Sequence, residues 1–409
     1  MKFVVATYGT EGDARPFAAL CRGLMDAGHE ARLLADGATL GSARALGVPT
    51  TALAGDIRDT LNPGHAIAGV IAKGGGFNTT ARAMAKIANE NADSWLRTII
   101  EAGEGCDAIL AAGLAGFIGF SAAEYLRVRS IGSGMIPITP TAAFPSPFLP
   151  PRRMPHLLNR ASHRFVNAML WKAFRRKTNA ARAMFKLPPR ETVWTEQPMV
   201  YGVSPNLLAT PADWPPNVHL CGQWLARSSA WKPSSALKAF LAAGEAPIYV
   251  GFGSMTGLDN ARLLDALVEA ITGRRALFHP GWSGIDPKAL PDNFLPIGDT
   301  PHDWLFPRTG AVIHHGGSGT SHSAARAGVP SIVLPFAGDQ FFWAERLRQA
   351  GVAPAAINGR RPSAEAIARG LDFAAVPRVR NRARVLGEAM NAEKGVVDAV
   401  AAIEHIVAT

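Results

Sequence analysis

Residues 301–340 read PHDWLFPRTGAVIHHGGSGTSHSAARAGVPSIVLPFAGDQ. Ala311 to His315 is a short apolar run ending in two histidines, and Gly316, Gly317 and Gly319 then open a helix that reaches Ala327. Gly328-Val329-Pro330 stops it, Ser331 to Phe336 is a second apolar strand, and Asp339-Gln340 follows just beyond. Strand, glycine turn, helix, strand is the unit of a parallel α/β sheet. A helix start approached through glycines leaves backbone N–H groups and the positive dipole end at the turn, which suits a phosphate. His315, Ser318 and Thr320 add side-chain donors there. Ligands of open α/β sheets collect at the carboxyl ends of strands, where His315 and Asp339-Gln340 both stand. A nucleoside diphosphate carrying a polyhydroxylated group fits that pattern.

Working outward, the same alternation fills the second half. Strands are expected at Ile248–Phe252, Ala276–His279 and Phe294–Ile297, with a helix at Asp259–Thr272. Further helices begin at Asp339, Ser363 and Arg378, and Lys394–Val407 is a terminal helix. The first half opens with strand Lys2–Tyr8, helix Arg15–Ala27, strand Glu30–Ala35, helix Ala38–Leu46 and strand Thr50–Leu53. Gly55–Gly76 is loop-like, and its triple glycine, Gly74–Gly76, marks a mobile segment. Helix Phe77–Ala102, strand Ala108–Ala112, helix Gly116–Leu126 and strand Arg129–Met135 follow, with Met199–Val203 as the last strand. Six prolines between 137 and 151 exclude regular structure there. Leu207–Pro233, rich in Pro, Trp and Ser, reads as the linker between two α/β domains.

The 409-residue chain is long enough for two cores. It holds no run of ~20 uncharged apolar residues and no signal-peptide pattern, so a cytoplasmic location is expected. Three widely spaced cysteines read as free thiols in a reducing compartment. The net charge of +10 is local: residues 151–190 carry eleven Lys/Arg and no acid, leaving the rest near −1. A general nucleic-acid binder is a poor description of such a chain. Apolar residues at 158, 165, 169 and 173 form a stripe within this segment. The pattern reads as a core-facing helix with a solvated basic face, or as an interfacial helix for peripheral binding to anionic lipid.

The ordered set GW (281–282), PHDWLFP, HHGGSGT, AGVP and GDQ resembles the donor-binding signature of the UDP-dependent glycosyltransferases, in the branch of sterol glucosyltransferases and bacterial natural-product glycosyltransferases. The resemblance spans nearly the whole chain. It implies the GT-B architecture, two Rossmann-like domains facing a central cleft: 1–212 for the acceptor, 213–393 for the nucleotide-sugar, and a terminal helix 394–409 that crosses back. It implies that His315, Gly317, Ser318, Gly319 and Thr320 hold the diphosphate and that Asp339 and Gln340 bond the sugar. Trp282 and the 301–304 turn, with His302, would flank the base, while Ser254 and Gly12 complete the donor contacts. Plant members carry a Glu for the ribose where this chain has Ser323, which keeps dTDP open beside UDP. Neither a cofactor nor a metal is implied.

Asp13 stands in the first βα turn, where a helix-capping role and a catalytic one are both open. Gly12-Asp13 followed by Pro16 resembles the GD-x-x-P turn whose Asp is the presumed base of this branch. The implied reaction is inverting transfer of a hexose, glucose from UDP-glucose, to a hydroxyl of a lipophilic acceptor such as a sterol. Alternatives are a polyketide or other secondary-metabolite aglycone with a dTDP-sugar, a nucleotide-sugar epimerase or NAD-linked enzyme, and a lipid-binding module. The NAD reading would use Gly9-x-x-Gly12 and Asp36, but the third glycine of its fingerprint is missing. Ser254 and Asp303 have plain readings too, as a glycine-turn residue and as the cap of a short helix. Trp282 could be core, but between Gly281 and Gly284 it reads better as loop-borne near the base, and His314 is expected to pack or to support His315 from behind.

Overall fold

The computed structural model describes residues 1–60, 77–149, 154–226, 231–253, 255 and 259–409, without the side chains of 58, 60 and 77–84. Most of the Gly55–Gly76 loop, Ser254, and Arg152 and Arg153 of the basic segment thus lie outside the described residues. Two compact units emerge: Met1–Pro205, Ala209–Ala226 and Lys394–Thr409 form one, Asn206–Leu208 and Arg227–Glu393 the other. Both carry a parallel sheet.

The first unit has seven strands, β1 (Lys2–Ala6), β2 (Glu30–Asp36), β3 (Thr50–Leu53), β4 (Ala108–Ala111), β5 (Arg129–Gly134), β6 (Met199–Tyr201) and β7 (Val218–Leu220), in the order 3-2-1-4-5-6-7. Phe3, Val4, Val5 and Ala6 are all fully buried. A parallel strand covered on both faces needs such a continuous apolar run, and each large side chain contributes about 1.5–3 kcal/mol of burial. β7 lies inside the stretch expected to be linker and pairs with β6, Met199 opposite Val218. The first unit accordingly runs to Ala226, beyond residue 212. Helix α1 covers Glu11–Asp26, starting four residues before the expected Arg15, because Asp13 bonds back to Thr10 and closes the first turn.

The longer helices of the first unit after α1 are α2 (Phe77–Gly103), α3 (Gly116–Leu126) and α4 (Asn159–Met184), with a terminal helix at Val396–Ala408; short helices stand at Gly41–Ala45 and Ile57–Thr60. That last helix lies on α1, where a Cβ on Gly23 would come within 2.1 Å of Val396 Cγ1, and His29 Nε2 meets Glu404 Oε1 at 2.7 Å. α4 buries His163, Val166, Trp171, Phe174 and Ala181. The stripe expected at 158, 165, 169 and 173 is out of phase with it: Phe165 is 56% and Leu158 43% exposed. The bulkiest residues choose the face. Trp171 and Phe174 pack edge-on to Phe117 at 5.2 and 5.3 Å, and Arg182 is buried against Glu124 at 2.7 Å.

The described part of the proline-rich loop, 137–149, has no helix or strand. Side chains from elsewhere in the unit hold it. Tyr201 Oη accepts the N–H groups of Ile138 and Thr139 at 3.2 and 3.1 Å. Asp213 accepts from Thr141, the Ala142 N–H and Arg160 at 2.6, 2.8 and 2.6 Å. Burial raises the Asp213 carboxyl, but these donors outweigh it and bring its pKa down to about 2.

The second unit has β8 (Ile248–Gly251), β9 (Ala276–His279), β10 (Phe294–Pro296), β11 (Ala311–His314) and β12 (Ser331–Val333), in the order 10-9-8-11-12. All its strand pairs are parallel. Helices α5 (Asn260–Ala270), α6 (Ser318–Arg326), α7 (Gln340–Gln349), α8 (Ala364–Ala375) and α9 (Pro377–Asn391) flank the sheet. Asp259 caps α5 through the Arg262 N–H, as its sequence position predicts.

Candidate functional site

Parallel pairing brings four strand ends of the second unit level with one another: Gly251 faces His279 on one side and His314 on the other, and His314 faces Val333. The turns beyond them pack together. Gly281 (φ +53°) brings its α-carbon so near the Gly253 carbonyl that a Cβ would lie 2.1 Å from the oxygen, and the Trp282 N–H donates to that oxygen at 2.9 Å. Gly253 in turn lies against the His315 ring. Gly316 (φ +92°) is enclosed on its far side, where a Cβ would meet both the Gln340 carbonyl and Val333 Cγ1 at 2.8 Å. Only glycine combines that backbone with that contact. Trp282, His315 and the start of α6 are thereby gathered at one place, together with Gln340.

α6 begins with Gly317 as N-cap, a residue with no side chain of its own to cap it. The positive end of the dipole stays at the turn. His315 is half-buried, and its Nε2 sits over Gly317, 2.5 Å from where a Cβ would be. Burial pushes its pKa down to about 4. At neutral pH the ring is therefore an uncharged hydrogen-bond donor beside the helix terminus. Ser318 and Thr320 are half-buried and Gly319 exposed in the same first turn. His322 backs this turn from inside: its Nδ1–H donates to the Ser318 carbonyl at 2.8 Å and its ring meets Trp343 edge-on at 4.8 Å. Sequence reading passed over His322 because a histidine inside a helix carries no signal of its own.

Asp339 and Gln340 open α7. Asp339 Oδ2 accepts from Trp343 Nε1 at 2.9 Å. Gln340 is largely buried, and its side chain meets protein groups of its own turn. Its Oε1 takes the N–H groups of Phe336 and Ala337 at 2.7 and 3.1 Å, and its Nε2 lies 3.2 Å from Met255 Sδ. The carbonyl half is thus spent on bracing its own turn, and the amide nitrogen donates to Met255 Sδ. His302 stacks on Phe306 with centroids 4.2 Å apart, and Tyr249 meets it edge-on at 5.9 Å. Asp303 is exposed in the helix His302–Leu305 and makes no capping bond; Pro301 precedes it there. The described residues contain no cluster of three or more metal-ligating side chains.

Asp13 and Gly12 belong to the first unit, apart from the other donor-site candidates. Asp13 is the third residue of α1 rather than its N-cap. Its Oδ2 accepts the Thr10 N–H at 2.8 Å and the Thr10 hydroxyl at 3.3 Å. Burial raises its pKa, and the Thr10 donors only partly offset that. Asp36, the acid an NAD site would need, is buried and accepts the Ala38 and Ile57 N–H groups at 2.8 and 2.7 Å. It is committed to its own loops.

Residues 263–394 match the family described as Erythromycin biosynthesis protein CIII-like, C-terminal domain. Over 99% of its length the chain is 34% identical to the O-mycaminosyltylonolide 6-deoxyallosyltransferase of Streptomyces fradiae, covering 97% of that protein. It is 31% identical to a sterol 3-beta-glucosyltransferase of Arabidopsis thaliana and 32% to one of Kluyveromyces lactis, spanning 65% and 34% of their lengths. The fold is shared with the glycotransferase of kitacinnamycin (TM-score 0.73, 17% identity, 99% and 98% of the two chains). It is shared also with the glycosyltransferase VinC in complex with dTDP (TM-score 0.69, 16% identity, the whole of both chains).

Proposed function

The chain belongs to the UDP-dependent glycosyltransferase superfamily with the GT-B fold, in the branch of sterol and macrolide glycosyltransferases, and from that premise we propose that it transfers a hexose from UDP-glucose, with inversion, to a hydroxyl of a lipophilic acceptor. The observation that carries the donor half is the glycine-built start of α6 with the neutral His315 Nε2 lying against Gly317. In this reading the first amides of α6, the Ser318 and Thr320 hydroxyls and His315 bind the two phosphates. Trp282 and His302 border the base, and Asp339 with Gln340 meets the sugar. Asp13 takes the acceptor proton as the new O–C bond forms, the anomeric C–O bond to UDP breaks on the opposite face, and the dipole end and His315 stabilise the departing diphosphate. The three unpaired, buried thiols of Cys21, Cys106 and Cys221 suit a cytoplasmic setting.

A second reading, a dTDP-sugar with a polyketide acceptor, has its own support: Ser323 in place of a ribose-binding Glu, and a macrolide glycosyltransferase matched over 97% of its length. A thermal-shift titration with UDP, dTDP, GDP and NAD separates these. A nucleotide in hundredfold excess over its dissociation constant stabilises by about 2.7 kcal/mol. A UDP shift that disappears in His315→Ala is expected; a shift with dTDP alone would select the second reading, and a shift with NAD alone would refute both.

The outer face of α4 supports a peripheral membrane contact. Leu157, just before α4, is 82% exposed; Leu158 and Phe165 are exposed as well, as are the cations Arg164, Lys172, Arg176 and Lys177. Four further described cations of the segment are paired, Arg160 with Asp213, Arg175 with Glu191, and Arg182 and Arg190 with Glu124. Each free cation near an anionic bilayer contributes about 1 kcal/mol. No described helix is long and apolar enough to cross a membrane. Sedimentation with phosphatidylglycerol vesicles should retain the protein, phosphatidylcholine vesicles should not, and K172E/R176E should release it. Equal recovery with both lipids would remove the proposal.

A further inference from the structure

Two residues before the left-handed Gly316, β11 ends in His314. Its ring is fully buried, 0% exposed, and its Nδ1 accepts the Gly316 N–H at 3.1 Å. A side-chain acceptor bridging to the backbone two residues ahead is the device by which Asn and Asp shape turns. An accepting Nδ1 carries no proton, so the ring is neutral with its hydrogen on Nε2. Burial, with His315 and His302 nearby, keeps it neutral. Gly316 is thus gripped from both sides, by the Gln340 carbonyl and Val333 without and by His314 within. The next residue, Gly317, is the N-cap of α6, and the His315 Nε2 lies directly against it.

From these contacts we infer that His314 is a positioning residue of the donor site: through Nδ1 it fixes Gly316 in the left-handed conformation and so sets the direction in which His315 and the first amides of α6 meet a nucleoside diphosphate. The inference rests on the donor reading above. It makes a distinction that ordinary packing does not. A residue valued only for volume is best replaced by another apolar side chain. One valued for its acceptor is best replaced by Asn, whose Oδ1 reaches the same N–H.

The test compares the parent chain with His314→Asn and His314→Leu by calorimetric titration with UDP and dTDP, recording Tm for each. His314→Leu is expected to weaken nucleotide binding about tenfold, as loss of one hydrogen-bonded constraint does. His314→Asn should stay within about threefold of the parent, whichever variant has the higher Tm. Should the Leu variant fail to fold, His314→Phe, which keeps a ring of similar size, makes the same comparison. The inference is overturned if the apolar variants bind as the parent does, or if folded His314→Asn binds as weakly as they do. A parent chain that binds neither nucleotide refutes the donor reading itself, and this inference with it.

Discussion

Asp13→Asn should bind UDP as the parent chain does and turn over about a hundredfold to ten-thousandfold more slowly, the usual contribution of a general base. Two roles compete at this carboxylate. As the third residue of α1 it accepts the Thr10 N–H, which closes the helix start. A base needs the same group ionised and facing an acceptor hydroxyl. The Asn variant separates them, because its Oδ1 still accepts from Thr10 but cannot take a proton. The Ala variant removes both functions and should also cost about 1 kcal/mol of stability, as loss of a helix-terminal bond does. Burial raises the Asp13 pKa, so the acidic limb of the rate profile should lie above the ordinary carboxylate range, with turnover falling as pH falls through it. Full turnover by the Asn variant, with Tm unchanged, would leave Asp13 only its structural role.

Much of the second unit was legible because its signals are local. HHGGSGT names its own turn: the glycines permit it, and the strand and helix on either side follow from apolar period and from Gly328-Val329-Pro330. Contacts between distant turns were not legible. Nothing in the sequence around Gly281 says that it must touch the Gly253 carbonyl, nor that Gln340 turns its oxygen inward to Phe336 and Ala337. β7 escaped notice for a related reason. Val218-His219-Leu220 is only three residues long, follows two prolines, and becomes a strand by pairing with Met199–Tyr201. On α4 the apolar residues outnumber the places in one stripe, so the phase was set by which of them met Phe117. Trp171 and Phe174 did, and Phe165 was left outside.

Three histidines of the second unit, His314, His315 and His322, make its stability depend on pH. His315 and His322 both have pKa values lowered to about 4 by burial, against an ordinary 6.5, and burial holds His314 well below the ordinary value too. An unfolded chain binds these protons near pH 6.5 while the folded unit resists them until about pH 4. The unfolded state therefore holds more protons throughout that window, and stability must fall as pH drops through it. Each such histidine contributes a slope of about 1.4 kcal/mol per pH unit. Acting together over this window they remove several kcal/mol, a large share of a typical 5–15 kcal/mol. Above pH 7 the curve should be flat in these groups. Hydrogen exchange along 311–326, corrected for intrinsic rates, reports this opening directly: protection should be full at pH 7 and decline steeply below pH 6. His322→Gln should shift the whole curve down, through loss of its contacts with Ser318 and Trp343, yet flatten its slope by one histidine's worth. A slope unchanged by that substitution would mean that His322 takes up its proton at the same pH whether the unit is folded or not. The burial imposed by the α6 turn would then not be what governs its charge.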